Sequence, residues 1–260
     1  MIQALANIHP EAKIAENVII EPFATIHKDV VIGQGSKIGA NAVIMDGARI
    51  GKNVTIFPGA VISAIPQDLK FKGEVTTAEI GDNTIIREFV TINRGTFAKQ
   101  KTIIGSDCLL MAYVHVAHDC IVGNHCIFAN GATLAGEVEI GDWVILGGGT
   151  MIHQFTRIGS HSMTQGGSLL GKDIPPYVIS GRNPPSYSGI NSVGLKRRGF
   201  SQEVINQIQD LYRILFVKGL NITNAMEQIM EQIPETIETT EIINFVKESK
   251  RGLIPGYSKE

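Results

Sequence analysis

The sequence predicts a mainly β chain, a solenoid of short flat strands stacked coil on coil, followed by a small α-helical domain. Three observations carry this prediction. Every sixth residue is a large aliphatic: Ile2, Ile8, Ile14, Ile20, Ile26, Ile32, Ile38, Ile44, Ile50, Ile56 and Ile62. The column resumes in phase at Ile80, Ile86, Ile92 and Ile104 and runs through Leu110, Val116, Val122, Phe128, Leu134, Ile140, Leu146, Ile152 and Ile158 to Leu170. Only Asp68, Glu74, Ala98 and Thr164 break it. A second column, four residues on, is small, as at Ala12, Ala24, Ser36, Ala42, Ala48 and Ala60, and later Cys108, Cys120, Cys126 and Ala132. Glycine often follows the aliphatic residue, as in Ile32-Gly33, Ile104-Gly105 and Ile140-Gly141.

A period of six fits neither a helix nor a lone strand, and it suits repeated coils. Both columns then point into the prism, the glycines relieve crowding at the corners, and stacked strands lie roughly 4.8 Å apart. The three cysteines fall in the small inward column, where a free thiol packs as a small hydrophobe.

The chain has 260 residues, enough for one or two domains. The repeats place a solenoid over residues 1–190 and a helical domain over 191–260. Within the solenoid, Pro66–Glu74 and Asn93–Lys101 leave the pattern while its phase survives, so loops are expected near 63–79 and 93–103. Loops on a rigid scaffold are where binding residues concentrate. After Leu170, Asp173-Ile174-Pro175-Pro176-Tyr177 and Gly181–Pro185 read as a turn-rich exit. Ser201 is an expected N-cap for a helix with an apolar face from Val204 to Phe216, stopping by Gly219. A second helix carries Ala225, Met226, Ile229 and Met230 and stops at Pro234; a third uses Ile242, Ile243, Phe245 and Val246. These helices are expected to cap the open end of the solenoid, whose bare edge would invite aggregation.

A net charge of −2 argues against general nucleic-acid binding. The first residues show no basic segment followed by an apolar run, and no stretch has the length of a membrane span, so a cytoplasmic protein without a membrane segment is expected.

The histidines gather where the repeats are most regular. With eighteen residues per coil, His118, Gly136 and Gln154 share one column, flanked by Asp119, Glu137 and Phe155 on one side and His153 on the other. Histidine is suited to general-base catalysis near neutral pH, Asp119 to fixing its tautomer, and the bare Gly136 N–H to stabilising an oxyanion. No nucleophilic hydroxyl or thiol stands beside His118, which favours direct transfer over a covalent enzyme intermediate. A zinc site from His115, His118 and His125 is a competing expectation, as are merely solvated corner histidines. The three imidazoles sit at different places in their hexads, against a tetrahedral site.

At these residues a family resemblance becomes specific. The repeats resemble the hexapeptide-repeat proteins, which implies a left-handed parallel β-helix of three hexads per coil. Leu110–Cys120, Gln67–Lys70, Asn130–Gly136, His153-Gln154-Phe155, Asp173–Val178 and Gly194–Phe200 resemble the cytosolic UDP-N-acetylglucosamine O-acyltransferases that begin lipid A synthesis. The resemblance covers essentially the whole chain, tail included. It implies transfer of a 3-hydroxyacyl chain from acyl carrier protein to the sugar 3-hydroxyl, with no cofactor and no metal. His118 would be the base, Asp119 its support and Gly136 the oxyanion donor. Asp68, Lys70, His115, His153 and Gln154 would contact the sugar nucleotide, with Glu137 lining the same cleft. Asn191, Arg197 and Arg198 would reach the uridine diphosphate, where forked guanidinium donors suit phosphate. Gly166 aligns with the position that limits acyl length, and a glycine there implies a long chain. A homotrimer with sites between subunits is implied as well.

The chain departs from the family pattern at Glu137, where better-known members carry histidine, and at Val193, where they carry glutamate. Lys99, Lys101, Lys196, Arg197 and Arg198 suggest a basic surface for an acidic carrier protein, with a solvated lysine face as the alternative. An N-acyltransferase of the same pathway is the nearest enzyme rival, and it normally carries an extra domain before the repeats. An acetyl-coenzyme A transferase and a purely structural solenoid are more distant ones.

Overall fold

In a computed structural model, which describes residues 4–256, the repeats wind into a left-handed parallel β-helix. Ile2 lies outside the described residues. Three sheets form its walls among the described residues: sheet B of nine strands from Asn7–Ile8, sheet C of eight from Lys13–Ile14, and sheet A of ten from Ile19–Ile20. The chain visits them in the order B, C, A. Each wall is built from strands of about two residues, because a corner follows every inward aliphatic residue. The inward columns make the core: Ile20, Ile38, Ile56, Ile86, Leu110 and Phe128 are fully buried in one wall alone. Cys108, Cys120 and Cys126 are buried with them as free thiols, and burial pushes the Cys120 thiol up to about 12. Thr164 stays in the aliphatic column as a buried polar residue, satisfied by the Thr150 hydroxyl at 3.0 Å and the Gly147 N–H at 3.0 Å.

Coil stacking explains the glycine after the aliphatic residue. A Cβ on Gly33 would lie 2.5 Å from the backbone of Gly51 in the next coil, so only hydrogen fits. The left-handed backbone falls two residues later, at Asn17, Asn41, Asn53 and Asn83, residues that tolerate it better than most.

Pairing advances by eighteen residues over most of the solenoid, as in His115 with Thr133 and Thr133 with Met151. Val61, however, pairs with Thr91, and Thr91 with His115, offsets of thirty and twenty-four. The two loops therefore insert twelve and six residues. Both are whole hexads, and this is why the aliphatic column returns in phase. The loops occupy 65–76 and 94–100, narrower than expected, because Thr77–Ile80 and Lys101–Ile104 extend as four-residue strands of sheet C.

Val178–Gly181 continues sheet A, and Ser186–Ile190 folds back antiparallel to close it. Four helices follow among the described residues: α1 (Ser192–Arg197), α2 (Gln202–Phe216), α3 (Ile222–Gln232) and α4 (Ile237–Glu248). The short α1 was not anticipated; it is capped by Asn191, whose side chain accepts from the Gly194 N–H. Ser201 caps α2 as expected. Helix α2 lies against the closing strand and against α3 and α4, so the helices cover the last edge of sheet A. The buried Tyr212 of α2 donates its hydroxyl to the Pro176 carbonyl at 2.6 Å, tying helices to solenoid. Among the described residues, no helix is long and apolar enough to cross a membrane.

Candidate active site

Both loops leave the prism at one place, the corner between sheets B and C, since each joins a strand of B to the next strand of C. Coil by coil that corner carries loop 65–76 with Asp68 and Lys70, loop 94–100, then His118 and Asp119, then Gly136 and Glu137, then His153, Gln154 and Phe155. The excursions and the histidine ridge are one site. In the first loop the Asp68 carboxylate accepts from the Lys70 backbone N–H at 2.9 Å and shapes the turn. The Lys70 ammonium has no ion-pair partner among the described residues.

His118 and Asp119 form its centre. The imidazole Nδ1 is 2.8 Å from Asp119 Oδ2, which leaves Nε2 as the ring atom facing outward. Asp119 is fully buried, yet every acceptor direction is served: the Thr96 hydroxyl donates to Oδ2 at 2.6 Å, and the backbone N–H groups of Thr96 and Lys99 donate to Oδ1 at 2.9 and 3.2 Å. Burial alone would raise its carboxyl, but these bonds outweigh it and hold Asp119 below the usual carboxylate range. Ionised Asp119 then keeps the Nδ1 proton on the imidazole, so Nε2 offers a lone pair.

The ring of His118 lies directly over Gly136. A Cβ there would come within 2.6 Å of Cε1 and Nε2, so glycine is required for the imidazole to occupy this position. The Gly136 N–H makes no hydrogen bond among the described residues. His115 projects from the outer face of sheet B, its Nδ1 2.7 Å from the Thr91 hydroxyl, and burial depresses its basicity so that it stays neutral at pH 7. His153 Nδ1 donates to the Gln154 carbonyl at 3.1 Å, and its Nε2 has no hydrogen-bond partner among the described residues. Beside the centre, Thr133, Ala135, Met151, His153, Leu169 and Gly171 line a mainly apolar cleft of about 450 Å³ on sheet B.

The remaining predicted residues lie elsewhere in the chain. Gly166 stands at the corner between sheets A and B, one wall away from His118. Asn191, Arg197 and Arg198 stand by the corner between C and A. There His125, Trp143, His161 and Tyr177 stack one above another, with centroids 4.1, 6.3 and 5.5 Å apart. Arg198 lies 5.1 Å over the Trp143 ring and donates to the Trp143 carbonyl at 3.2 Å, and Asn191 donates to the His161 carbonyl at 2.8 Å. Burial first, and the neighbouring Arg198 second, lower the His161 imidazole to about 4, so that ring is neutral at pH 7. Arg197 and Val193 are exposed on α1.

Side-chain contacts correct one expectation and bear on a competing one. Lys99 is bound to Glu139 at 2.7 Å and Lys101 to Glu79 at 3.6 Å, so these lysines do not add free positive charge to a basic surface. His125 belongs to the aromatic stack at a different corner from His118, and no group of metal-ligating side chains occurs among the described residues. Thr96 was missed by sequence reasoning. Its loop drew notice for lysines, whereas the contact with Asp119 comes from a hydroxyl and two backbone N–H groups.

Fold and site together define a hexapeptide-repeat transferase with a histidine–carboxylate centre at a prism corner. The bacterial transferase hexapeptide model matches residues 29–64 and 101–136, and that of the second domain of UDP N-acetylglucosamine O-acyltransferases matches 173–254. The acyl-[acyl-carrier-protein]–UDP-N-acetylglucosamine O-acyltransferase of Trichlorobacter lovleyi is 51% identical over 259 residues, 98% of this chain and 99% of its own. That of Chlorobaculum parvum is 60% identical over 193 residues, 74% of this chain and 73% of its own. The UDP-N-acetylglucosamine acyltransferase structure from Bacteroides fragilis superposes with a TM-score of 0.96 at 56% identity, covering 98% of this chain and 100% of that one. The chain belongs to the acyl-[acyl-carrier-protein]–UDP-N-acetylglucosamine O-acyltransferase family and is an acyltransferase.

Proposed function

We propose that the protein transfers a 3-hydroxyacyl chain from acyl carrier protein to the 3-hydroxyl of UDP-N-acetylglucosamine, the first step of lipid A synthesis, by direct general-base catalysis. The observation that carries the mechanism is the outward Nε2 of His118, set by the buried Asp119 bond at Nδ1. Nε2 takes the proton of the sugar hydroxyl as its oxygen attacks the thioester carbonyl. The resulting oxyanion is held by the Gly136 N–H. When the carbon–sulfur bond breaks, the imidazolium returns the proton to the departing thiolate, and ester and free thiol are left. No covalent enzyme intermediate and no cofactor is needed.

Asp68, Lys70, Glu137, His153 and Gln154 line the same ridge, His115 stands on wall B beside it, and all six serve the sugar. Asn191, Arg197 and Arg198 serve the diphosphate, but from another corner, which points to a site shared between copies. The outward faces support a homotrimer. Sheet A presents Ile85, Leu109, Ile127, Ile145, Met163 and Ile179, and sheet B presents Thr133, Met151 and Leu169 beside the apolar cleft. Sheet C instead sets Arg49, Glu79, Glu139 and Arg157 around Ile103 and Ile121. Packing wall B of one copy on wall A of the next buries both apolar faces, leaves C in solvent, and brings His118 of one copy toward the α1 end of its neighbour. An acyl chain running inward along sheet B from His118 would end at Gly166. A cytoplasmic location suits both substrates.

The test is a mass-spectrometric transfer assay with UDP-N-acetylglucosamine and a ladder of 3-hydroxyacyl carrier proteins. Ester formation is expected, with a preference for long chains, and with at least a 100-fold loss in His118→Ala. A folded protein that forms no ester with any chain length would overturn the proposal.

A further inference from the structure

We propose that Thr96 is the positioning residue of the His118–Asp119 pair, and that loop 94–100 exists to hold that carboxylate in one orientation. This rests on the base role of His118 proposed above. Thr96 grips both carboxylate oxygens at once, with its hydroxyl 2.6 Å from Oδ2 and its backbone N–H 2.9 Å from Oδ1. Oδ2 is the oxygen that faces His118 Nδ1. Rotation of the carboxylate away from the imidazole therefore breaks two bonds to Thr96 as well as the Lys99 N–H bond. The hydroxyl itself has one orientation. Its oxygen accepts from the Ala98 N–H at 3.2 Å, which turns its proton toward Asp119.

The loop is built to keep Thr96 in place. Its turn closes through the Gln100 N–H on the Thr96 carbonyl at 2.8 Å. Gly95 lets the strand pass, since a Cβ there would lie 2.2 Å from the Lys101 nitrogen. Lys99 anchors the loop to Glu139 of a later coil at 2.7 Å. On its other side the buried Asn93 donates to the Ile65 carbonyl at 3.1 Å, and Arg94 stacks 5.6 Å over Phe71. The loop bearing Asp68 and Lys70 is thus braced against the loop that fixes Asp119.

The experiment compares Thr96→Val, a near-isosteric change that removes the hydroxyl, with Thr96→Ser, which restores it. Without the Thr96 hydroxyl, Oδ2 loses its second partner and the carboxylate is held at Oδ1 by backbone N–H groups alone, so the nitrogen NMR titration curve of His118 in the substrate-free protein should differ from wild type, and the acid limb of the rate profile should move with it. Loss of one hydrogen bond to a charged group predicts a fall of about ten-fold or more in kcat. KM for UDP-N-acetylglucosamine should stay within about two-fold, and Thr96→Ser should recover both rate and titration. Wild-type kcat and titration in Thr96→Val would overturn the assignment. So would a Thr96→Ser variant as slow as Thr96→Val with an equal loss of thermal stability, which marks a loop-packing residue only. If the wild-type protein makes no ester, the transfer reaction fails, while the NMR titration still judges Thr96.

Discussion

Two residues at the centre, Asp119 and Gly136, make separable contributions. The Asp119 carboxyl lies below its ordinary range in the folded protein, because donors from Thr96, His118 and Lys99 outweigh the cost of burial. A depressed carboxyl stabilises the fold above its unfolded value of about 3.9, and that contribution is lost as pH falls through the lower folded value. Wild type should therefore melt above Asp119→Asn at pH 7, and thermal melts should show the gap closing below about pH 4. Gly136, besides its N–H, acts by leaving room for the imidazole. In Gly136→Ala the added methyl would meet the imidazole at 2.6 Å, pushing Nε2 off its line. The expected outcome is a fall of about 100-fold in kcat with an unchanged far-ultraviolet spectrum, since a misplacement of this size is costly only at the reacting atoms.

At the scale of elements, the coils between the two loops determine how the site holds together. Ile92 is fully buried in the strand Thr91–Asn93, which pairs with the strand before the first loop and with that of His115. Ile92→Ala would open a cavity where both loops are rooted and is expected to cost about 2–5 kcal/mol in denaturant unfolding. The helices are read from sequence with less difficulty. Ser201 and the apolar face of α2 follow ordinary capping and amphipathic rules, and both appear as expected. Helix α1 is too short to show a period, and its cap, Asn191, is recognisable only from the bond to Gly194.

Across the whole molecule, the three walls differ in chemistry, and the proposed homotrimer rests on that difference. Ile145 sits outward in the middle of the apolar wall A. Ile145→Glu should give a folded monomer by sedimentation that lacks transferase activity, because in the proposed trimer it is assembly that brings His118 toward Arg197 and Arg198 of the neighbour. A trimeric, active variant would count against walls A and B as the contact.

Much of this protein was legible in its sequence. The solenoid, its inward columns, its buried cysteines and the stacking of His118 on Gly136 all follow from a strict six-residue period, because each hexad repeats one local geometry and eighteen residues restore the same wall. His118 and Asp119 are neighbours in sequence, so their partnership is visible there too. What only the tertiary structure decided are contacts with no period. Thr96 reaches Asp119 across twenty-three residues, and Lys99 reaches Glu139 across forty. Both depend on how a six-residue insertion folds back over its own corner, and side-chain hydrogen bonds from a loop leave no repeat behind. The corner at which each residue stands is likewise set by counting coils with their insertions included. That count places Asp68, Lys70 and His118 on one ridge and leaves Arg197 and Arg198 on another.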